Sequence, residues 1–288
     1  MAAEGAPAAW PDEPGADRRP LTLLLLLLAG GDHVPARRAA RLAALTGIDA
    51  ATWDSCLEGF GRRGLVSVAT RADGDWLVGT PESRRMHGHV TGRFAVARAG
   101  DMAGRQWDGR WRLVAFQDAN GAAAIDARQS LIELGGAALN EHVVVLTRDW
   151  PAQLELPEQT AIAWADHLVI GSTTTPREVA ARLWPIDDVA AGYRAFCDRW
   201  SGGGHPRRDA AGSPTFAAAD ALELLATFWQ CFARDPVLPP ELLSRPWPGR
   251  QARNLLATSF RGLNMHSSDR AVAAVLRMIS DALEPAVV

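Results

Sequence analysis

The 288-residue sequence predicts an α+β, mostly helical fold. Three observations carry that expectation: three helix-length segments and a short hairpin near the N-terminus, short apolar runs between residues 110 and 171, and amphipathic segments from Leu183 onward. A chain of this length exceeds what one core comfortably serves, so more than one domain is expected.

Residues 1–19 hold Ala, Pro, Gly and charge without an apolar period and read as a disordered leader. From Pro20 the spacing predicts helices over about 21–30, 35–46 and 49–63, with Pro35 at a first-turn position and a break at Gly47. Leu65–Ala69 and Trp76–Val78 are strand-like and flank Ala72-Asp73-Gly74-Asp75, whose Asp-Gly is a hairpin signal. Three helices and a hairpin predict a winged helix-turn-helix over residues 20–82. Residues 83–106 are polar and read as a linker helix. Residues 107–182 predict a small α+β domain: a strand over 110–117, a helix over 122–135, and apolar runs at Val143–Leu146 and His167–Gly171. Residues 183–288 read as a helical domain. It is interrupted by a Gly-rich break from Ser201 to Gly212 and continues in helices near 215–232, 249–263 and 267–284.

Composition excludes several classes. Thirty basic residues, all arginine, against 33 acidic ones leave a net charge of −3, so DNA contact has to come from local charge rather than a global cationic field. Cys56, Cys197 and Cys231 lie far apart without CxxC spacing, which argues against a zinc ribbon or a disulfide framework. The leucine run Leu23–Leu28 is far shorter than the ~20 residues of a membrane span. It also follows an acidic, Pro-rich flank unlike that of a secretory signal. A buried first helix, a cytoplasmic location and no membrane partner are the expectations.

Trp107-Asp108-Gly109-Arg110-Trp111, running into Arg112-Leu113-Val114-Ala115-Phe116, sets two tryptophans about a tight turn ahead of an apolar strand. With Arg234-Asp235-Pro236-Val237-Leu238-Pro239-Pro240-Glu241-Leu242-Leu243 and Trp247-Pro248-Gly249, it makes the chain resemble the PaaX family of bacterial regulators. These repress phenylacetate catabolism and respond to an aryl-CoA. The resemblance covers most of residues 20–265. It implies a ferredoxin-like central domain, similar to that of the small CRISPR-associated nucleases, and a C-terminal region that receives an acyl-CoA effector.

The sequence departs from the family where DNA and effector are touched. On the third helix Asp54 and Glu58 stand where the family carries arginines, beside Thr52 and Ser55, and carboxylates repel phosphate. The hairpin keeps only Arg71, with Asp73 and Asp75. Basic support remains in Arg37, Arg38, Arg41, Arg62, Arg63, Arg84 and Arg85, so the DNA-binding candidates are Arg37, Arg38, Arg41, Thr52, Ser55, Arg62, Arg63 and Arg71. The family's effector helix usually holds a histidine and paired arginines, but here reads Ala226-Thr227-Phe228-Trp229-Gln230-Cys231. An anionic thioester loses its clamp there and a flat neutral ligand gains stacking surface. Ligand candidates are therefore Trp107, Arg110, Trp111, Phe228, Trp229 and Phe232, each also readable as core.

His87, His89, Asp118, Glu141 and His142 are candidates for acid/base work if the fold gathers them. His167, inside an apolar run, reads as a core histidine. Asp118 lies near the metal-binding aspartate of the CRISPR-type relatives. No second carboxylate accompanies it, and neither HExxH nor another zinc spacing occurs, so no metal and no cofactor are expected. Two functions stay open. One is a homodimeric, PaaX-like DNA-binding transcriptional regulator responding to an aromatic or acyl small molecule. The other is the same scaffold without DNA reading, acting in secondary metabolism as a ligand-binding protein or a metal-free acid/base enzyme on a small or carrier-bound substrate.

Overall fold

A computed structural model of the chain describes residues 17–29, 33–103, 107–152, 154–173, 175–201, 207–208, 214–215 and 218–260. The leader up to residue 16 and the helix expected at 267–284 lie outside them. The fold is α+β and mostly helical, with two small antiparallel sheets and a further two-stranded pairing of residues 207–208 with 214–215. It divides into two compact units: residues 1–91, 196–233 and 252–288, and residues 92–195 and 234–251.

The first unit begins with α1 (Arg19–Ala29), whose Leu23 to Leu28 are all buried. The run has no polar face because α1 is packed by β1 (His33–Pro35), α2 (Ala36–Leu45), α3 (Ala50–Arg62) and α8 (Ala218–Phe232). Pro35 closes the short strand β1 and serves as the N-cap residue of α2 rather than its first turn, a strand too short for sequence pattern to announce. α3 starts at Asp49, whose carboxylate accepts from the Thr52 backbone N–H at 2.8 Å and from its hydroxyl at 2.7 Å. The Thr52 amide holds the Asp49 carboxyl below its usual range, reinforced by the hydroxyl. β2 (Val66–Arg71) and β3 (Gly74–Gly79) form the hairpin, with Gly74 at φ 119. β1 adds to β3, giving an antiparallel sheet in the order β1-β3-β2. α4 (Pro81–Ala103) follows.

The second unit is built on β4 (Trp111–Phe116), β5 (Ala137–Ala138), β6 (Val143–Leu146) and β7 (Thr160–Ala165), all antiparallel in the order β5-β6-β4-β7. Alternation along β4 and β6 sorts the side chains. Val114, Phe116, Val144 and Leu146 pack under α5 (Ala122–Glu133) with Ala124, Ala127 and Leu131. Trp111 and Val145 face the other way, onto α6 (Pro176–Leu183), Trp184, Leu238, Leu242 and Leu243. Trp184 is the C-cap residue of α6, and α7 (Ile186–Ser201) follows after Pro185; α9 (Pro248–Phe260) is the last described helix.

Two expectations about this unit are corrected. The strand is Thr160–Ala165, not 167–171, where only an isolated bridge joins Ile170 to Thr173. β7, Thr-Ala-Ile-Ala-Trp-Ala, is alanine-rich and exposed along most of its length and has no alternation of polar and apolar residues, whereas Leu168 and Ile170 read as a strand because they dock on the core from a loop. His167 is exposed on that loop and is not a core histidine.

Candidate nucleic-acid interface

On α2 the buried residues are Ala39, Leu42 and Ala43, so the helical period turns Arg37, Arg38 and Arg41 to solvent. Three guanidiniums within five positions make the densest exposed positive charge of the described residues in this unit. On α3, Trp53 and Phe60 point inward and the outward row is Ala51, Asp54, Ser55, Glu58 and Arg62. Arg62 lies 4.0 Å from Glu58 with both side chains about three-quarters exposed, a pairing worth about 0–1 kcal/mol. Thr52 is committed to the Asp49 cap. Of the candidates on this helix, Ser55 and Arg62 remain to reach outward, beside two carboxylates.

The hairpin is internally tied. Arg71 lies over the Trp76 ring at 4.5 Å, the Trp76 indole N–H donates to Asp73 at 2.9 Å, and Thr70 donates to Asp75 at 2.7 Å. The indole hydrogen bond, with Arg37 and Arg71 nearby, holds the Asp73 carboxyl below its usual range. The positive charge of Arg37 and Arg71 is thus partly answered by Asp73. Arg38, Arg41 and Arg63 make no ion pair among the described residues.

The other candidates are distributed, not gathered. His87 and His89 belong to the first unit, and Asp118, Glu141 and His142 to the second. Asp118 accepts from the Asn120 amide at 3.1 Å in a turn. The His142 Nδ1 faces the Phe116 carbonyl at 3.0 Å, and its Nε2 lies 3.6 Å from Glu141 on an exposed corner. No group of three metal-ligating side chains occurs among the described residues. Phe228 and Phe232 are buried with their rings stacked at 5.7 Å and present no surface to a ligand. Trp107 meets Trp111 edge-on at 4.9 Å, and Trp111 stacks on Trp184 at 6.3 Å. The turn between the two tryptophans is held by Asp108, which accepts from the Arg110 amide and grips buried Arg112 at 2.6 and 2.8 Å; Asp149 takes the same guanidinium at 2.9 Å. Arg110 reaches Asp166 at 3.3 Å.

Of the aromatic candidates, Trp229 lines a cavity with Thr22, Leu25 and Leu26 of α1 and His87, Val90 and Thr91 of α4. It has room for about one water molecule. The buried Thr22 hydroxyl has no hydrogen-bond partner among the described residues, and burial pushes the His87 imidazole below its ordinary value. A base whose folded value lies below its unfolded value of about 6.5 contributes its full stability above that pH and loses it as pH falls toward the folded value. His87→Gln is therefore expected to shrink the drop in melting temperature between pH 7.5 and 5.5. Equal drops in wild type and variant would refute it.

Sequence reasoning missed Thr22, whose environment depends on α8, nearly 200 positions away in the chain. It also missed the role of Arg112 as the hub of the double-tryptophan turn, although an arginine inside an apolar strand is a signal that asks for buried partners.

The molecule is thus an α+β, mostly helical protein with an exposed arginine group on α2. Residues 184–273 match the sequence model of the PaaX-like protein C-terminal domain, and this supports membership of the PaaX family, as the motifs at 107–111 and 234–249 imply. Among solved structures it is similar to an uncharacterized protein, Rv0674, of Mycobacterium tuberculosis. The identity is 18%, the TM-score 0.48, and the match covers 93% of this chain and 99% of that one. No curated protein matches. Among the described residues no helix is long and apolar enough to cross a membrane.

Proposed function

We propose that the chain is a PaaX-like DNA-binding transcriptional regulator that grips the duplex mainly through its phosphates. The observation that carries this reading is the element order α1-β1-α2-α3-β2-β3 with the sheet order β1-β3-β2, which is that of a winged helix-turn-helix, with Arg37, Arg38 and Arg41 exposed on α2. The order β5-β6-β4-β7, with α5 between β4 and β5, supports a ferredoxin-like central domain without a helix among the described residues between β6 and β7. Specific base reading by α3 is weak, because Asp54 and Glu58 occupy the row that would face the bases and phosphates. The effector is an aromatic or acyl small molecule, and the protein acts as a homodimer in the cytoplasm.

Retardation of the protein's own upstream region at two salt concentrations tests the proposal. Each phosphate contact contributes about 0.9 to the slope of log affinity against log salt. The Arg37→Ala, Arg38→Ala, Arg41→Ala triple variant is expected to flatten that slope by about 2–3. Asp54→Ser with Glu58→Ser is expected to tighten binding. No retardation by the wild type even at low salt would remove the regulator reading. It would favour the second one, a scaffold reassigned to small-molecule binding or chemistry, for which the acidic outward row of α3 is the motivating observation.

A further inference from the structure

The outward face of the first unit's sheet carries a tryptophan with basic side chains around it. Val34 and Leu77 are buried, so the strand period turns His33, Pro35, Trp76 and Arg71 to the other side. In the register His33 faces Val78 and Arg71 faces Gly74, each two positions along β3 from Trp76, the diagonal separation at which long and aromatic side chains meet. Here they do. The His33 and Trp76 ring centroids lie 5.1 Å apart, and the central carbon of the Arg71 guanidinium lies 4.5 Å from the centre of the same indole.

The charge around this indole comes from neighbouring elements. α2 begins directly after β1, and its Arg37 acts together with Arg71 on the Asp73 carboxyl, which accepts from the Trp76 indole N–H. Exposed Arg38 and Arg41 continue the positive row on α2. Of the other elements packed against β1, α1 contributes Arg19, paired with Asp17 at 2.8 Å, and β3 contributes Asp75, which accepts from Thr70. His33 is exposed and makes no ion pair among the described residues. Asp73 offsets part of the arginine charge around Trp76, and a proton on His33 would restore it.

We propose that His33 is a further duplex-contacting residue, the proton-dependent member of a phosphate-binding patch assembled on Trp76 with Arg37 and Arg71. Histidine is the side chain whose charge changes between about pH 5 and 8. Once charged, the imidazolium is attracted to the indole as the guanidinium is, so Trp76 holds both cations at the sheet surface and lowers the cost of setting them near each other. Phosphate oxygens arriving over the patch favour the charged form, and by linkage the duplex is held more tightly as pH falls. The proposal rests on the regulator reading, whose arginine row on α2 it extends by one contact on β1. An imidazole with a purely structural part would cover the indole and add nothing to the grip on phosphate.

The salt dependence of duplex retardation, measured at two pH values, tests the contact. Each neutralised phosphate adds about 0.9 to the slope of log affinity against log salt. For the wild type the slope is expected to be steeper at about pH 6 than at about pH 8 by roughly one such contact. His33→Gln is expected to abolish the difference and to keep the shallower slope. His33→Arg, charged at both pH values, is expected to give the steeper slope throughout, a rescue that a purely structural imidazole does not predict. His167→Gln, on an exposed loop of the second unit, is expected to leave the wild-type difference unchanged. Equal wild-type slopes at the two pH values, a difference that survives in His33→Gln, or a His33→Arg slope no steeper than that of His33→Gln would each overturn the proposal and leave the regulator reading standing. No retardation by the wild type at either pH, even at low salt, would remove that reading and this contact with it.

Discussion

Replacing Asp235 by alanine is expected to cost about 3–5 kcal/mol, enough to unfold much of a domain whose total stability is of the order of 5–15 kcal/mol. Asp235 is 1% exposed and sits in the Arg234-Asp235-Pro236 turn. One carboxylate oxygen accepts from the Tyr193 hydroxyl at 2.7 Å, and the other from the Val237 amide at 2.7 Å. Arg93 donates to the Asp235 backbone carbonyl, and its buried guanidinium, which burial pushes below its ordinary value, is supported electrostatically by the Asp235 charge. The variant leaves a tyrosine hydroxyl and a guanidinium buried without the carboxylate. It also removes the acceptor that fixes the Val237 amide, and with it the turn that holds Val237 at a φ of 54. Asp235→Asn keeps one oxygen to accept from the Val237 amide, sets its NH2 against the Tyr193 hydroxyl, which must then accept, and loses the charge, so its cost should be roughly half. Denaturant unfolding followed by near-ultraviolet circular dichroism gives both numbers. A loss below about 1 kcal/mol for the alanine variant would show that the carboxylate does not organise the turn.

Gly135→Ala is the second large effect. Gly135 has a φ of 97, which strains any L side chain, and an added Cβ would lie 2.4 Å from the Pro236 carbonyl oxygen. Backbone on both sides means neither can yield cheaply. The same glycine offers its carbonyl to the Trp184 indole at 3.0 Å, so displacing it also disturbs the stack of Trp184 on Trp111. Dihedral strain of about 1–3 kcal/mol and crowding of similar size combine to roughly 3 kcal/mol or more. The expected fall in melting temperature is about 6–12 °C. Gly109 provides the comparison: its φ is 80, but open space surrounds the added Cβ, so Gly109→Ala carries the dihedral strain without the clash. Equal falls for the two variants would rule out the close approach of Pro236 as the cause.

Much of the fold is legible in the chain. The helices near 21–30, 35–46, 49–63 and 122–135 and the hairpin about Gly74 follow from apolar period, cap residues and turn chemistry, all of which act within a few positions. The acidic outward row of α3 was equally visible, because Trp53 and Phe60 reveal which side of that helix is buried. β7 was not legible, since an edge strand exposed over most of its length has no apolar alternation to read. His167 misled for the converse reason: a loop docked on a core has the composition of a strand.

The site candidates show the same division. Residue types pointed to Arg37, Arg38 and Arg41, and burial on α2 leaves them outward as the helical period requires. The five acid/base candidates were chosen by type alone, and they fall in both units. Local spelling therefore determined the helices, the hairpin, the double-tryptophan turn and the sign of the charge on each helix face, because these depend on neighbours in sequence. Only the tertiary structure decided that Asp235 is buried against Arg93, 142 positions away, that Arg112 holds Asp108 and Asp149 together, and that Phe228 and Phe232 are core. Burial and charge pairing arise from contacts between distant segments, and no short-range period encodes which segments will meet.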